Sequence, residues 1–191
     1  MTPLFLLRHG PTAASQGGAP LGRLDLPVED QTRWPAVKTE LRALGLQRVA
    51  TSDLARARDH ARELAAELEL PIQVLPALGE QDFGDWDGVP WTEILGSEAF
   101  FSDPVNTAPP GGESFAACAE RARSLIPQLL EDASPLLILA HGGPLRAILA
   151  TLLGIPLDRA LDLAWQPFGL SRLDVYAPNR ALLQFHNHPL G

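Results

Sequence analysis

Three short segments of the chain end in groups that could handle an anion. The apolar run Leu4–Leu7 closes on Arg8, His9 and Gly10, and the apolar run Leu136–Ala140 closes on His141, Gly142 and Gly143. A third segment, Arg48–Ser52, leads through Asp53, Leu54 and Ala55 to Arg56. Taken singly, each ending reads equally well as a solvated strand end or an ordinary tight turn. If the three ends are neighbours, two histidines and two arginines meet, a costly cluster unless an anion sits among them. Phosphate suits that demand: arginine forks bind it in bidentate fashion, and glycine lets backbone N–H groups at a helix N-terminus come close. Gly10, Gly142 and Gly143 stand where such an approach would be made.

The elements that must gather these groups alternate. A strand at Leu4–Leu7, apolar enough to be covered on both faces, precedes a long polar loop and a helix over Trp34–Leu44. A strand at Arg48–Ser52 leads to a helix over Asp53–Leu70, and Pro71–Pro76 reads as another strand. After a Gly- and Trp-rich loop, Ser114 is a plausible N-cap for the apolar series Phe115, Cys118, Ala122, Leu125 and Leu129. Pro127 should kink or shorten that helix. Leu136–Ala140 is a fully apolar strand with a helix after it over Pro144–Gly154, and Leu170–Ala177 and Arg180–His186 flank a Pro-Asn turn as a hairpin. Such alternation predicts one α/β domain, a three-layer α/β/α sandwich with a mostly parallel central sheet. In that architecture the ligand crevice lies beyond the carboxyl ends of the strands, where the three endings fall.

Composition narrows the ligand. The 191 residues carry a formal net charge of −8, which argues against nucleic acid and against anionic membranes as partners. Positive charge must therefore be local to one pocket. The single cysteine, Cys118, excludes an internal disulfide and a cysteine cluster, and its place among apolar residues at helical spacing marks a buried structural thiol. The first residues lack the layout of a signal peptide, and no apolar stretch has the length of a membrane span, so a soluble cytoplasmic protein is expected. His186 and His188 would share one strand face and invite a metal, but no third ligand lies nearby in sequence, and no metal is expected. Arg58 reads as a solvated helix residue and His60 as a structural one. Trp86 and Trp91 pack the loop after Glu80 or wall a pocket.

The stretches LLRHG, SDLARA, LGEQDFGDWDG, PPGGES and LAHGGPLRAIL occur, in this order, in a pattern that resembles the histidine phosphatase superfamily, also called the phosphoglycerate mutase-like family. The resemblance runs from the first strand to about Leu153, with a weaker echo in FGLSRLDV. It implies that His9 attacks phosphorus, that Arg8 and Arg56 clamp the phosphoryl oxygens, and that His141 completes the positive pocket. Glu80 then corresponds to the acid that protonates the leaving oxygen, projecting from a mobile loop over the strand ends, and no cofactor is needed. The chemistry asks for these types independently: a neutral imidazole can attack if a hydrogen bond orients it, and arginine donors stabilise charge on equatorial oxygens.

Departures from the pattern fall at Pro11 and Ser15, where many relatives carry glutamate and asparagine. Ser15 can still donate to phosphate, with a shorter reach. The segment APLGRLDLPVED puts Gly22 and Arg23 either against substrate or in a loop that merely covers the sheet. The short connection from Gly88 to Pro109 resembles phosphatases rather than the longer mutases, and most closely the α-ribazole phosphatases of cobalamin biosynthesis and the broad-specificity bacterial phosphatases. The implied partner is a small phosphate ester. Mutase-type phosphoryl transfer and a non-catalytic phospho-ligand binder remain the alternatives; binding alone would have no use for Glu80. The sequence gives no sign of oligomeric state.

Overall fold

A computed structural model describes residues 1–13 and 18–191. Its centre is a six-stranded sheet in which β1 (Thr2–Arg8) pairs in parallel with β4 (Leu136–Ala140). On the far side of β4 lie β2 (Arg48–Thr51) and β3 (Ile72–Val74), both parallel to it. On the far side of β1 the direction reverses. There β5 (Gly169–Ala177) and β6 (Arg180–Pro189) form the expected hairpin, giving the order β3-β2-β4-β1-β5-β6. The sheet is thus mixed but mostly parallel.

Two helical layers cover it because β4 and the Leu4–Leu7 run of β1 are apolar at successive positions and so present a hydrophobic surface on each side. Leu4 and Leu6, with Ile138 and Ala140, pack toward α4 (Phe115–Arg123) and α6 (Gly142–Leu153). Phe5 and Leu7, with Leu137 and Leu139, pack toward α1 (Trp34–Arg42) and α2 (Ala55–Glu67). Short helices α3 (Glu98–Ser102), α5 (Ile126–Leu130) and α7 (Leu157–Ala160) complete the layers. Among the described residues no helix is long and apolar enough to cross a membrane.

Helix limits follow local chemistry. Ser114 caps α4 by accepting from the Ala117 amide, and Pro127 sits in the first turn of α5, so the predicted single helix is broken in two. Two residues past α2, Glu69 turns left-handed at φ +54°. Helix α6 starts two residues earlier than its apolar pattern suggested, at Gly142, which makes His141 its N-cap. The hairpin holds one surprise. Asn187 adopts φ +55° near a break in the β5–β6 register. As a result His186 meets the Trp165 ring edge-on at 4.9 Å, while His188 packs against Phe185 at 5.9 Å. Trp165 belongs to the α4/α6 face and Phe185 to the α1/α2 face. The two histidines therefore do not share a face, and the expectation that they would is corrected by this irregularity.

The loop from Gly79 to Glu113 is tied down at its base. Arg121 of α4 donates to the carbonyls of Ala77 (2.8 Å), Gly79 (2.7 Å) and Glu80 (2.7 Å) and pairs with Glu113 at 2.6 Å. Glu113 in turn accepts from the Asp82 amide. Gly84, at φ +51°, lies against the Pro110–Gly112 turn: a Cβ there would collide with the Pro110 carbonyl and stand 2.5 Å from Gly111 C. Gly84→Ala should cost about 2–4 kcal/mol, from the left-handed backbone and the clash together. A urea-unfolding midpoint lowered by less than ~1 kcal/mol equivalent would show that these two turns are not locked to each other.

Candidate active site

Strand register places the site. Arg8 lies opposite Ala140, and the ladder runs one rung further, with the His9 amide donating to the Ala140 carbonyl at 3.0 Å. The residues just past this rung are therefore neighbours: the His9 and His141 rings are 5.0 Å apart at 58°. On the other side of β4, Thr51 pairs with Leu139, which brings the Ser52 hydroxyl within 2.7 Å of His141 Nε2. Helix α2 then begins and delivers Arg56. Exposures of 4% for His9, 1% for Arg56 and 0% for His141 show that bulk water is nearly excluded from this cluster.

Hydrogen bonds fix the protonation pattern. His9 Nδ1 lies 2.6 Å from the Gly10 carbonyl, which can only accept, so Nδ1 carries the proton and the lone pair of the neutral ring is on Nε2. Burial, and then the Arg56 and Arg8 guanidinium groups, push the His9 pKa well below 6.5. Burial does the same to His141, with His9, Arg56 and Arg8 adding to it. Arg56 donates to the carbonyls of Gly22 (2.6 Å) and Leu24 (2.9 Å), and Arg8 donates to that of Trp165 (2.5 Å). Among the described residues, three buried nitrogens of this cluster have no hydrogen-bond partner, Arg8 Nε, Arg56 Nε and His141 Nδ1; outside it His60 Nδ1 and Asp53 Oδ1 also lack one. Desolvated donors of this kind are costly unless an acceptor answers them, and an anion would answer all three.

Glu80 is held from two directions. Its Oε1 accepts from its neighbour Gln81 and from the Gly143 amide at the start of α6, each at 2.9 Å. A Cβ on Gly143 would strike that same oxygen. The second glycine of the His-Gly-Gly turn thus admits a carboxylate, and its N–H goes to Glu80 rather than to a phosphate. Gly10 has a packing role as well as its carbonyl: a Cβ there would stand 2.5 Å from Phe168 Cζ. The Glu80 segment, expected to be mobile, is hydrogen-bonded on both sides, its peptide to Arg121 and its side chain to the start of α6.

A cavity of about 460 Å³ has Arg8, His9, Glu80, Gly142 and Trp91 in its wall; Arg56 and His141 lie behind that wall, buried against His9. Gly22 and Arg23 are not in that wall. The Gly22 amide donates to Asp87 at 2.8 Å, and Arg23 reaches the exposed Asp53 at 3.4 Å. Ser15 lies outside the described residues. Arg146, not singled out in the sequence, does line the cavity. It was findable, as the one charged residue of α6, four positions and so one turn after Gly142. Its Nε donates to the Leu163 carbonyl at 2.8 Å. Trp86 packs edge-on to Phe100 at 5.3 Å behind Trp91. Arg58 donates to the Asp53 carbonyl on the helix surface. His60 stacks on Trp34 at 4.1 Å, with its pKa pushed down to about 4 chiefly by burial. Cys118 is fully buried, and burial pushes its thiol pKa far up.

Comparison with known proteins agrees with this geometry. Residues 4–188 match the histidine phosphatase superfamily (branch 1), and the chain belongs to that family. It is 33% identical over 162 residues to the adenosylcobalamin/alpha-ribazole phosphatase of Salmonella typhimurium, covering 80% of each chain. To the glucosyl-3-phosphoglycerate phosphatase of Mycolicibacterium vanbaalenii it is 32% identical over 170 residues, 81% of this chain and 76% of that one. The crystal structure of the alpha-ribazole phosphatase from Shigella flexneri superposes with a TM-score of 0.89 at 27% identity, covering 100% of this chain and 98% of that one. The protein is accordingly a phosphatase, a phosphoric monoester hydrolase for small phosphorylated metabolites.

The depressed histidine pKa values have a measurable sign. The unfolded chain takes up protons near pH 6.5 while folded His9 and His141 do not, so acid below that point favours unfolding. In NMR titrations of labelled histidine, the His9 and His141 ring signals should stay at neutral-imidazole shifts from pH 8 down past 6.5. A midpoint at or above 6.5 for either would mean that its ring is not desolvated beside the two guanidinium groups.

Proposed function

We propose that this protein, as a single catalytic domain, hydrolyses a small phosphate monoester in two steps through a phosphohistidine on His9 Nε2. The observation that carries the reading is the neutral, oriented His9 ring beside buried donors that lack partners on Arg8, Arg56 and His141. In the first step Nε2 attacks phosphorus and the ester P–O bond breaks in line with it. The three equatorial oxygens accept from Arg8, Arg56 and His141, which supply the charge stabilisation. The departing alkoxide takes a proton from Glu80. Two amides already occupy Oε1, so the proton is held on Oε2, which lies on the Gly142 side. In the second step Glu80 takes a proton from water, water attacks phosphorus, and His9 leaves as a neutral ring.

Alpha-ribazole 5′-phosphate is the first substrate to try, because relatives named for that activity are similar both in sequence and in fold. A second reading, a phosphorylated glycerate derivative, draws support from the glucosyl-3-phosphoglycerate phosphatase relative and from Arg146, a cation in the cavity wall that a carboxylate would suit. Incubation with a ³²P-labelled ester and rapid denaturation in alkaline detergent should trap acid-labile, base-stable phosphoprotein in the wild type. The label should vanish in His9→Ala; label retained there would mean another nucleophile. Glu80→Gln keeps the shape but cannot deliver the proton. It should slow phosphorylation of His9 by alkyl phosphates by about 10²-fold or more and by p-nitrophenyl phosphate far less, since that leaving group departs unaided. Equal losses on both esters would reassign Glu80 to binding.

A further inference from the structure

We infer that the alcohol portion of the substrate carries a flat apolar or aromatic group, and that this group enters a second cavity behind Glu80. This deepens the hydrolytic reading of the site and rests on it. The second cavity measures about 320 Å³ and is walled by Phe83, Trp91, Phe100, Phe101 and Phe115. Pockets of about 300–1,000 Å³ with mostly aromatic walls and a few polar groups are the usual form of small-molecule sites. It adjoins the first cavity, for Glu80, Phe83, Trp91 and Arg146 are in the walls of both.

Reaction geometry decides what occupies it. In-line displacement sends the ester oxygen away from His9 and toward the group that protonates it, Glu80. The carbons attached to that oxygen must continue past Glu80, and the aromatic cavity begins there. Among the described residues its polar side chains are Glu80, Gln81 and Arg146, all on the side toward the first cavity or the Glu80 peptide. A polyhydroxylated or anionic body pushed among the five rings would lose water without gaining partners, which is costly. A planar ring would gain edge and face contacts. The rings already stand at steep angles, Phe101 against Phe100 at 79° and 5.6 Å and against Trp91 at 59° and 5.5 Å. Arg146 at the junction can lie against the π face of such a ring. Phe101 is 58% exposed, an aromatic left at the mouth of the cavity where a ligand would cover it.

The test compares two esters with the same reacting centre, n-propyl phosphate and 3-phenylpropyl phosphate, with phosphate release as the readout. Both leave as primary alkoxides, so kcat/KM differs only through the phenyl ring. The phenyl ester should be favoured by about 30-fold or more, the value of burying one ring. Phe101→Ser should cut that ratio at least fivefold by acting on the phenyl ester, and a side chain so exposed can be replaced without opening the core. Equal turnover of the two esters by the wild type overturns this inference and leaves the hydrolytic reading standing. A preference that survives Phe101→Ser puts the ring elsewhere and overturns the assignment of this cavity. Failure to hydrolyse either ester overturns the hydrolytic reading, and this inference with it.

Discussion

One backbone hydrogen bond orders the site, the last rung between β1 and β4, where the His9 amide meets the Ala140 carbonyl. Side chains alternate along a strand, so a shift of one residue would carry every group to the opposite face. With this register, Arg8 follows Leu4 and Leu6 toward the α6 face, where its guanidinium finds the Trp165 carbonyl. His9 follows Phe5 and Leu7 toward the α2 face, from which Arg56 arrives. Positive charge thus reaches one point from both faces of the sheet, beyond the strand ends where no main chain obstructs it. The apolar residues that lock the register are the same ones that form the two cores. Packing and chemistry are consequently set by one alignment.

The cost of that arrangement is electrostatic. Arg8, Arg56 and Arg146 are all desolvated, and burial lowers the pKa of each while Glu80 opposes the shift. In a chain of net charge −8 the long-range field favours cations, but desolvation acts locally and the field does not remove it. Hydrogen bonding carries part of the load. Arg56 gives its terminal nitrogens to the Gly22 and Leu24 carbonyls, so the segment that covers the sheet is held by the very cation it covers. Asp87 takes the Gly22 and Leu24 amides in return and joins this segment to the loop that bears Glu80. What stays unsatisfied on these side chains is confined to nitrogens at the reaction centre. Unpartnered donors gathered at one point are groups that an anion would satisfy.

Much of this was legible in the sequence. Apolar runs without alternation marked the buried parallel strands, and the shared polar endings of three segments marked the site, because strand ends in this architecture converge. Less legible were properties that depend on what a residue meets in space. Gly10 and Gly143 pointed to a phosphate-binding backbone, yet one is small to admit Phe168 and the other to admit Glu80. Gly22 and Arg23 fell in a stretch similar to a substrate loop, but their partners are Asp87 and Asp53. His186 and His188 obeyed strand periodicity on paper, and a left-handed Asn187 with a register break separated them. Arg146 is hard to read from sequence because its helix has a core pattern; a single charge in such a helix is itself the signal.

The use made of the α6 N-terminus changes how the catalyst is understood. A helix start next to a phosphate site would ordinarily lend its amides to the anion. Here the Gly143 amide holds Glu80 instead. The carboxylate is therefore positioned by the same helix that follows His141, and its peptide by Arg121. Arg8, His9 and His141 take their places from the ends of β1 and β4, Arg56 from the helix after β2, and Glu80 from its hold on the start of α6. In the mechanism proposed above, an acid preorganised in this way needs no loop to close before it acts, which suits the entry of water in the second step. The remaining freedom lies with the alcohol group, which must fit the space beyond a carboxylate held by two amides. Selectivity then falls to the walls behind Glu80, while the phosphate end stays the same for every ester.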